Sequence, residues 1–188
     1  VSVGAVPVIP AAWLVMCGMG PILCKYPDIA DGGPMSGIFP AHENEFDAMA
    51  DLWEASVRAT HDFLSDADIA WLRPRIRNEY LAAVTLRVWR DDAGVIRGFL
   101  GVSPGHVEML FVAPEARRQG IGAALLAHAV RELGCTRVDV NEQNPQALAF
   151  YRREGFEVTG RSELDAQGRP FPLLHMQLST AHVRLTGT

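Results

Sequence analysis

The chain has 188 residues, 48% of them apolar and 21% charged, with a formal net charge of −5. That length and mixture suit one globular domain and exclude disorder. The mild acidity gives no broad electrostatic footprint for nucleic acid. Basic residues cluster only locally, at Arg117–Arg118 and Arg152–Arg153, which fits a small anionic ligand better than a polymer.

Val1 to Cys24 is apolar but interrupted by Pro7, Pro10, Gly18, Gly20 and Pro21, and the first basic residue is Lys25. A spanning helix needs about 20 apolar residues with few such breaks, and an export signal needs a basic start. Residues 1–34 are therefore expected to be a poorly structured extension, with Met35 as an alternative initiator. A single domain over 35–179 and a short tail over 180–188 are expected to follow. The three cysteines, Cys17, Cys24 and Cys135, form neither a disulfide framework nor a zinc pattern. They read as free thiols of a cytoplasmic protein without a metal.

Ser36–Pro40 is a short strand candidate. Phe46, Met49, Ala50, Trp53 and Val57 fall on one helical stripe, with Asn44 as a candidate N-cap. A second helix is expected over Asp66–Tyr80, bent or split at Pro74. Leu81–Arg90 and Val95–Val102 read as strands joined by a hairpin turn at Asp91–Gly94. His106–Val112 is apolar and β-rich, a central strand that Pro114 ends. A helix is expected from about Gln119 to Leu133, with Ile121, Leu125, Ala129 and Leu133 on one face. Arg137–Asn141 is another strand. Asn144-Pro145 opens a helix with a capping side chain and a proline at the first helical position, and Gly155 closes it. Phe156–Gly160 and Leu173–Leu178 form a last pair around a turn at Asp165–Arg169.

The segment Val112 to Ala123 is a strand, a glycine-bearing turn and a helix start. The first turn of a helix offers unpaired N–H groups and the positive end of the macrodipole, a site for phosphate. Gly120 and Gly122 let a ligand approach the backbone, and Arg117 and Arg118 add cationic donors. The lysine of a Walker loop and the third glycine of a dinucleotide fingerprint are both missing. A lone Gly-x-Gly reads by itself as a plain turn into a helix; the arginines, the place after a central strand and the motif downstream reverse that reading.

Downstream stands Asn144-Pro145-Gln146-Ala147-Leu148-Ala149-Phe150-Tyr151-Arg152-Arg153-Glu154-Gly155-Phe156. With Arg117-x-x-Gly120-x-Gly122, this resembles the GNAT superfamily of N-acetyltransferases. Thr60–Ser65, Val140–Asn144, Val158–Glu163 and Pro170–Leu174 are similar to a small bacterial group within it. The likeness runs over residues 35–178.

The resemblance implies an α+β fold: a mixed, mostly antiparallel sheet of six or seven strands with about four helices. Two central strands are expected to splay apart near Val112 and Val140, with acetyl-CoA in the cleft. Its diphosphate would sit on the N–H groups from Arg118 through Gln119, Gly120, Ile121 and Gly122 to Ala123. Its pantetheine arm would run along Phe111–Val112 like an added strand. The implied reaction is direct attack of an amine on the thioester in a ternary complex. It needs a base, oxyanion stabilisation and protonation of the leaving thiolate.

Tyr151 is expected to protonate the sulfur, against the alternative of a packing tyrosine. Asn144 is expected to cap its helix and to bond the cofactor. A main-chain N–H near Leu110 or Phe111 is expected to face the oxyanion. Strand alternation places His106, Glu108, Leu110 and Val112 on one face, so His106 and Glu108 are the candidate bases. Their alternative is a strand-end histidine and a structural ion pair. His61 and Asp62 are substrate-side candidates, and His175 reads as structural. The acceptor is a small-molecule or peptide amine, and the protein a monomer or homodimer. The competing readings are a non-catalytic acyl-CoA sensor and a nucleotide-binding protein.

Overall fold

A computed structural model describes residues 36–165 and 167–179. The expected extension over 1–34, the tail over 180–188, and Met35, Cys17 and Cys24 lie outside the described residues.

Helix α1 (Phe46–Arg58) buries its predicted stripe of Phe46, Met49, Ala50, Trp53 and Val57. Asn44 does not cap it. It lies inside a 3-10 turn over Glu43–Glu45, where the His42 N–H donates to the Glu45 carboxylate at 2.9 Å. Helix α2 (Asp66–Arg75) starts at Ser65, whose Oγ accepts from the Asp68 N–H at 3.2 Å. Such a cap contributes about 1 kcal/mol. Pro74 lacks an N–H, and the chain after it widens into a π turn over Ile76–Tyr80. A 3-10 turn over Leu81–Ala83 comes next. The strand expected from Leu81 therefore begins only at Thr85, because residues 81–83 are still winding.

Seven strands, β1 (Gly37–Pro40), β2 (Thr85–Arg90), β3 (Ile96–Ser103), β4 (His106–Val112), β5 (Arg137–Asn141), β6 (Phe156–Ser162) and β7 (Leu173–Leu178), form one sheet. Its order is β1-β2-β3-β4-β5-β7-β6. Only β4 and β5 run parallel; the other neighbours are antiparallel. Helices α3 (Ile121–Arg131) and α4 (Pro145–Arg153) follow β4 and β5. Gly98 lets α3 lie close to β3: a Cβ there would stand 3.0 Å from Ile121 Cγ2 and 3.1 Å from the Phe111 carbonyl oxygen. Among the described residues no helix is long and apolar enough to cross a membrane.

One irregularity shapes the centre of the sheet. Gly101 pairs with Met109 but Val102 pairs with Val107, so Glu108 is an extra residue, a bulge in β4. The expected alternation fails there. Opposed residues share a face, so Val107 joins Leu110 and Val112, whereas His106 joins Met109 and Phe111. The parallel ladder of β4 with β5 has two rungs, His106↔Arg137 and Val107↔Val138. Beyond them the strands part.

Candidate active site

The parting of β4 and β5 opens a cleft of about 1000 Å³. Its walls include Leu110, Phe111 and Val112 from β4, Arg117, Arg118, Gly120, Ile121, Gly122 and Ala123 from the turn into α3, and Asn144 and Tyr151 from α4. Arg118 (φ 62°) and Gly120 (φ 82°) both adopt left-handed backbone conformations, which hold the turn open before α3. The first backbone bond into α3 runs from the Ala124 N–H to the Gly120 carbonyl at 2.9 Å. Helix geometry leaves the N–H groups of Ile121, Gly122 and Ala123 without an intrahelical acceptor.

The two glycines differ. A Cβ on Gly120 would meet nothing within 4 Å, and its positive φ is what favours glycine. A Cβ on Gly122 would make ordinary contacts with Phe150 and Val112 at 3.7 Å. Gln119 is not in the cleft wall; its amide donates to the Glu115 carbonyl at 3.2 Å. Arg117 Nη2 donates to Gln146 Oε1 at 2.7 Å, tying the turn to the start of α4.

Tyr151 is buried, with ring edges against Phe150 and Phe156 at centroid distances of 5.0 and 5.7 Å. Burial pushes its phenol pKa up, so the hydroxyl keeps its proton. Among the described residues its hydroxyl has no protein hydrogen-bond partner. Asn144 caps α4 as expected, Oδ1 accepting from the Ala147 N–H at 3.0 Å.

A second cavity of about 230 Å³ adjoins the first. Trp53, Val57, Phe63, Leu72, Phe111 and Phe171 give it apolar walls, and His106, Glu108, Asp139, Asp165 and Arg169 supply charge, the last two paired with each other. The two cavities share His61, Val107, Glu108, Phe111, Asp139 and Asn141. Asp62 lines neither.

His106 lies between two carboxylates: Nδ1 is 3.2 Å from Glu108 Oε1, and Nε2 is 3.7 Å from Asp139 Oδ2. The Nδ1 contact is bent and falls short of a hydrogen bond. Burial alone would lower the pKa of this ring. The contacts with Asp139 and Glu108 outweigh it and raise the pKa to about 9, so His106 is a cation at neutral pH. Ser103 Oγ donates to Glu108 Oε1. Asp139 is a residue that strand periodicity does not single out. Burial would raise its pKa, but His106 and His175 overcome this and lower it. The signal that finds it is register, since it sits opposite His175 on β7.

His61 is the opposite case. Burial, reinforced by the positive charge of Arg117 and opposed by Asp62, lowers its pKa to about 4. The ring is neutral at neutral pH. Its Nδ1 is 2.7 Å from Thr60 Oγ1, and its Nε2 is 3.4 Å from Asn144 Nδ2. Among the described residues no group of three or more His, Cys, Asp or Glu side chains is arranged to hold a metal ion.

A split parallel pair in a mixed seven-stranded sheet, with a left-handed turn at the head of the following helix, defines the class: the chain belongs to the GNAT acetyltransferase family. Residues 83–158 match the acetyltransferase (GNAT) domain. Two relatives, the peptidyl-lysine N-acetyltransferases YjaB of Salmonella typhimurium and Escherichia coli, are each 40% identical to it. The likeness spans 142 and 135 residues, taking in 76% and 72% of this chain and 97% and 90% of the relatives. The solution structure of apo-form YjaB from Escherichia coli matches with a TM-score of 0.70 at 37% identity. It covers 76% of this chain and 96% of that one.

Proposed function

We propose that the chain moves the acetyl group of acetyl-CoA to a primary amine carried on an apolar arm, a lysine side chain of a peptide or protein fitting best. One observation carries this reading: a long cleft lined by strand backbone and a helix start shares six wall residues with a small apolar, acid-bearing pocket. The cleft suits a long anionic cofactor, and the pocket suits an aliphatic arm ending in an ammonium group. The names of the YjaB relatives agree with that acceptor.

Bound acetyl-CoA supplies the activated thioester. The N–H groups of Arg118 and of Gly120 through Ala123, with the guanidinium groups of Arg117 and Arg118, hold its diphosphate, and Gln119, outside the cleft wall, takes no part. The main chain of Leu110–Val112 pairs with the pantetheine arm, and a Leu110 or Phe111 N–H faces the oxyanion. The Tyr151 hydroxyl, kept protonated by burial, gives its proton to the departing sulfur. Glu108 and Asp139 receive the acceptor as an ammonium ion. His106, already a cation, holds those two carboxylates in position and does not itself accept the proton. Residues 35–179 form the catalytic unit. The buried free thiol of Cys135 agrees with a cytoplasmic location.

The test is thiol release from acetyl-CoA with a lysine peptide, read together with acetyl-lysine by mass spectrometry. Release should depend on the peptide and vanish when its lysines are blocked. Release that is indifferent to the peptide, or no acetyl-lysine at all, refutes the reading.

A further inference from the structure

A neutral histidine sits where the two cavities meet, and its hydrogen bonds fix which nitrogen carries the proton. Thr60 Oγ1 donates to the Ser56 carbonyl at 2.8 Å, which uses the hydroxyl proton. Thr60 Oγ1 therefore accepts from His61 Nδ1 at 2.7 Å, so Nδ1 carries the ring proton. On the other side, Asn144 Oδ1 is committed to the Ala147 N–H, so its Nδ2 donates toward His61 Nε2. The lone pair of Nε2 thus lies in the wall shared by cleft and pocket, met only by a long 3.4 Å contact.

We infer that His61 is the catalytic residue that takes the acceptor's proton, and that acetyl-CoA switches it on. The inference rests on the acetyl transfer proposed for this cleft. The switch has two parts. The anionic cofactor offsets Arg117, the charge that disfavours a protonated His61 ring. It also draws the Asn144 amide toward itself, which releases Nε2.

Asp62, on its own segment, favours an imidazolium. Glu108 and His106 on β4, Asp139 on β5 and the paired Asp165 and Arg169 are the charged groups that line the adjoining pocket with the ring. In the step itself, the ammonium N–H bond breaks and its proton moves to His61 Nε2. The freed nitrogen pair forms the bond to the acetyl carbon. The C–S bonding pair leaves on sulfur, which takes the Tyr151 proton, and the second amine proton restores Tyr151. The imidazolium then loses its proton to solvent, giving one net proton per acetyl group. Thr60 and Asn144 are positioning residues in this scheme.

Two measurements test it. First, the His61 ring is titrated by NMR in the wild-type chain with and without free coenzyme A. The expected result is a rise of its pKa by a unit or more when the cofactor binds; no movement overturns the switch. Second, His61→Gln is assayed with a lysine peptide. Its kcat should fall on the order of 100-fold, with acetyl-CoA still raising the melting temperature, and the pH profile should lose the limb that His61 supplies. A His61→Gln enzyme within about 3-fold of wild-type kcat overturns the assignment, being far short of general-base loss. A wild-type chain that releases no thiol would instead overturn the proposed function. The titration needs no turnover and no variant, so it decides the switch even if His61→Gln fails to fold. The wild-type pH profile of kcat must then show a limb at the His61 pKa measured with cofactor bound, and its absence overturns the assignment as base.

Discussion

His175 Nδ1 lies 2.7 Å from Asp139 Oδ1, and the two residues face each other across the β5–β7 ladder. The outer nitrogen of His175 meets Ser162 Oγ at 2.7 Å, so the ring is held from both sides. This leaves Asp139 Oδ2 for His106. Asp139→Asn keeps an oxygen for His175 but removes the charge that helps make His106 a cation. The His106 pKa should then fall from about 9 toward the ordinary histidine value, as read by NMR titration. The KM for the amine should rise more than kcat falls.

Tyr151→Phe keeps the ring that packs on Phe150 and Phe156 and removes only the hydroxyl. The melting temperature should stay within a few degrees of wild type. Thiol release at saturation should drop by about 100-fold or more, the usual range for a lost general acid. The KM for acetyl-CoA should change little. A large loss of stability with normal turnover would make Tyr151 a packing residue.

Gly120→Ala adds a methyl group into open space but imposes φ 82° on an alanine. The cost is about 1 kcal/mol, which lowers the melting temperature by roughly 2–4 °C in a chain of this size. Relief of that strain would turn the N–H groups ahead of α3. Acetyl-CoA affinity, measured by calorimetry, should therefore fall by more than the stability loss explains.

Two histidines should shape stability against pH in opposite ways. The folded pKa of His106, about 9, exceeds its unfolded value near 6.5. The stabilisation it brings is complete below pH 6.5 and is lost as pH rises through 9. The folded pKa of His61, about 4, lies below the unfolded value, so the native state binds fewer protons there. Stability should fall as pH drops from about 6.5 through 4. The melting temperature should peak between these limbs. His106→Gln should flatten the alkaline limb, and His61→Gln the acid one.

Much of this is legible in the sequence wherever local rules decide the outcome. The bounds of β4 and β5, and the Asn144-Pro145 start of α4, follow from β-rich runs and capping chemistry. The turn at Gly120 follows from glycine spacing beside arginines. What is not legible depends on partners. The extra residue in β4 is defined only by its register with β3, so simple alternation puts His106 and Leu110 on one face where the sheet separates them. Asp139 carries no local signal because its neighbours His106 and His175 are 33 and 36 positions away in the chain. The charge of His106 and the neutrality of His61 come from burial and neighbours that residue type does not encode.

The bulge at Glu108 ties two properties of the enzyme to a single insertion. A β4 lacking that residue would match β3 rung for rung and run straighter, and the seam with β5 would have less cause to stop after two rungs. It would also lose a carboxylate that lines both cavities. Acid and aperture thus arise at one local defect in the pleat: deleting the residue removes both, whereas Glu108→Gln removes the acid and keeps the bulge.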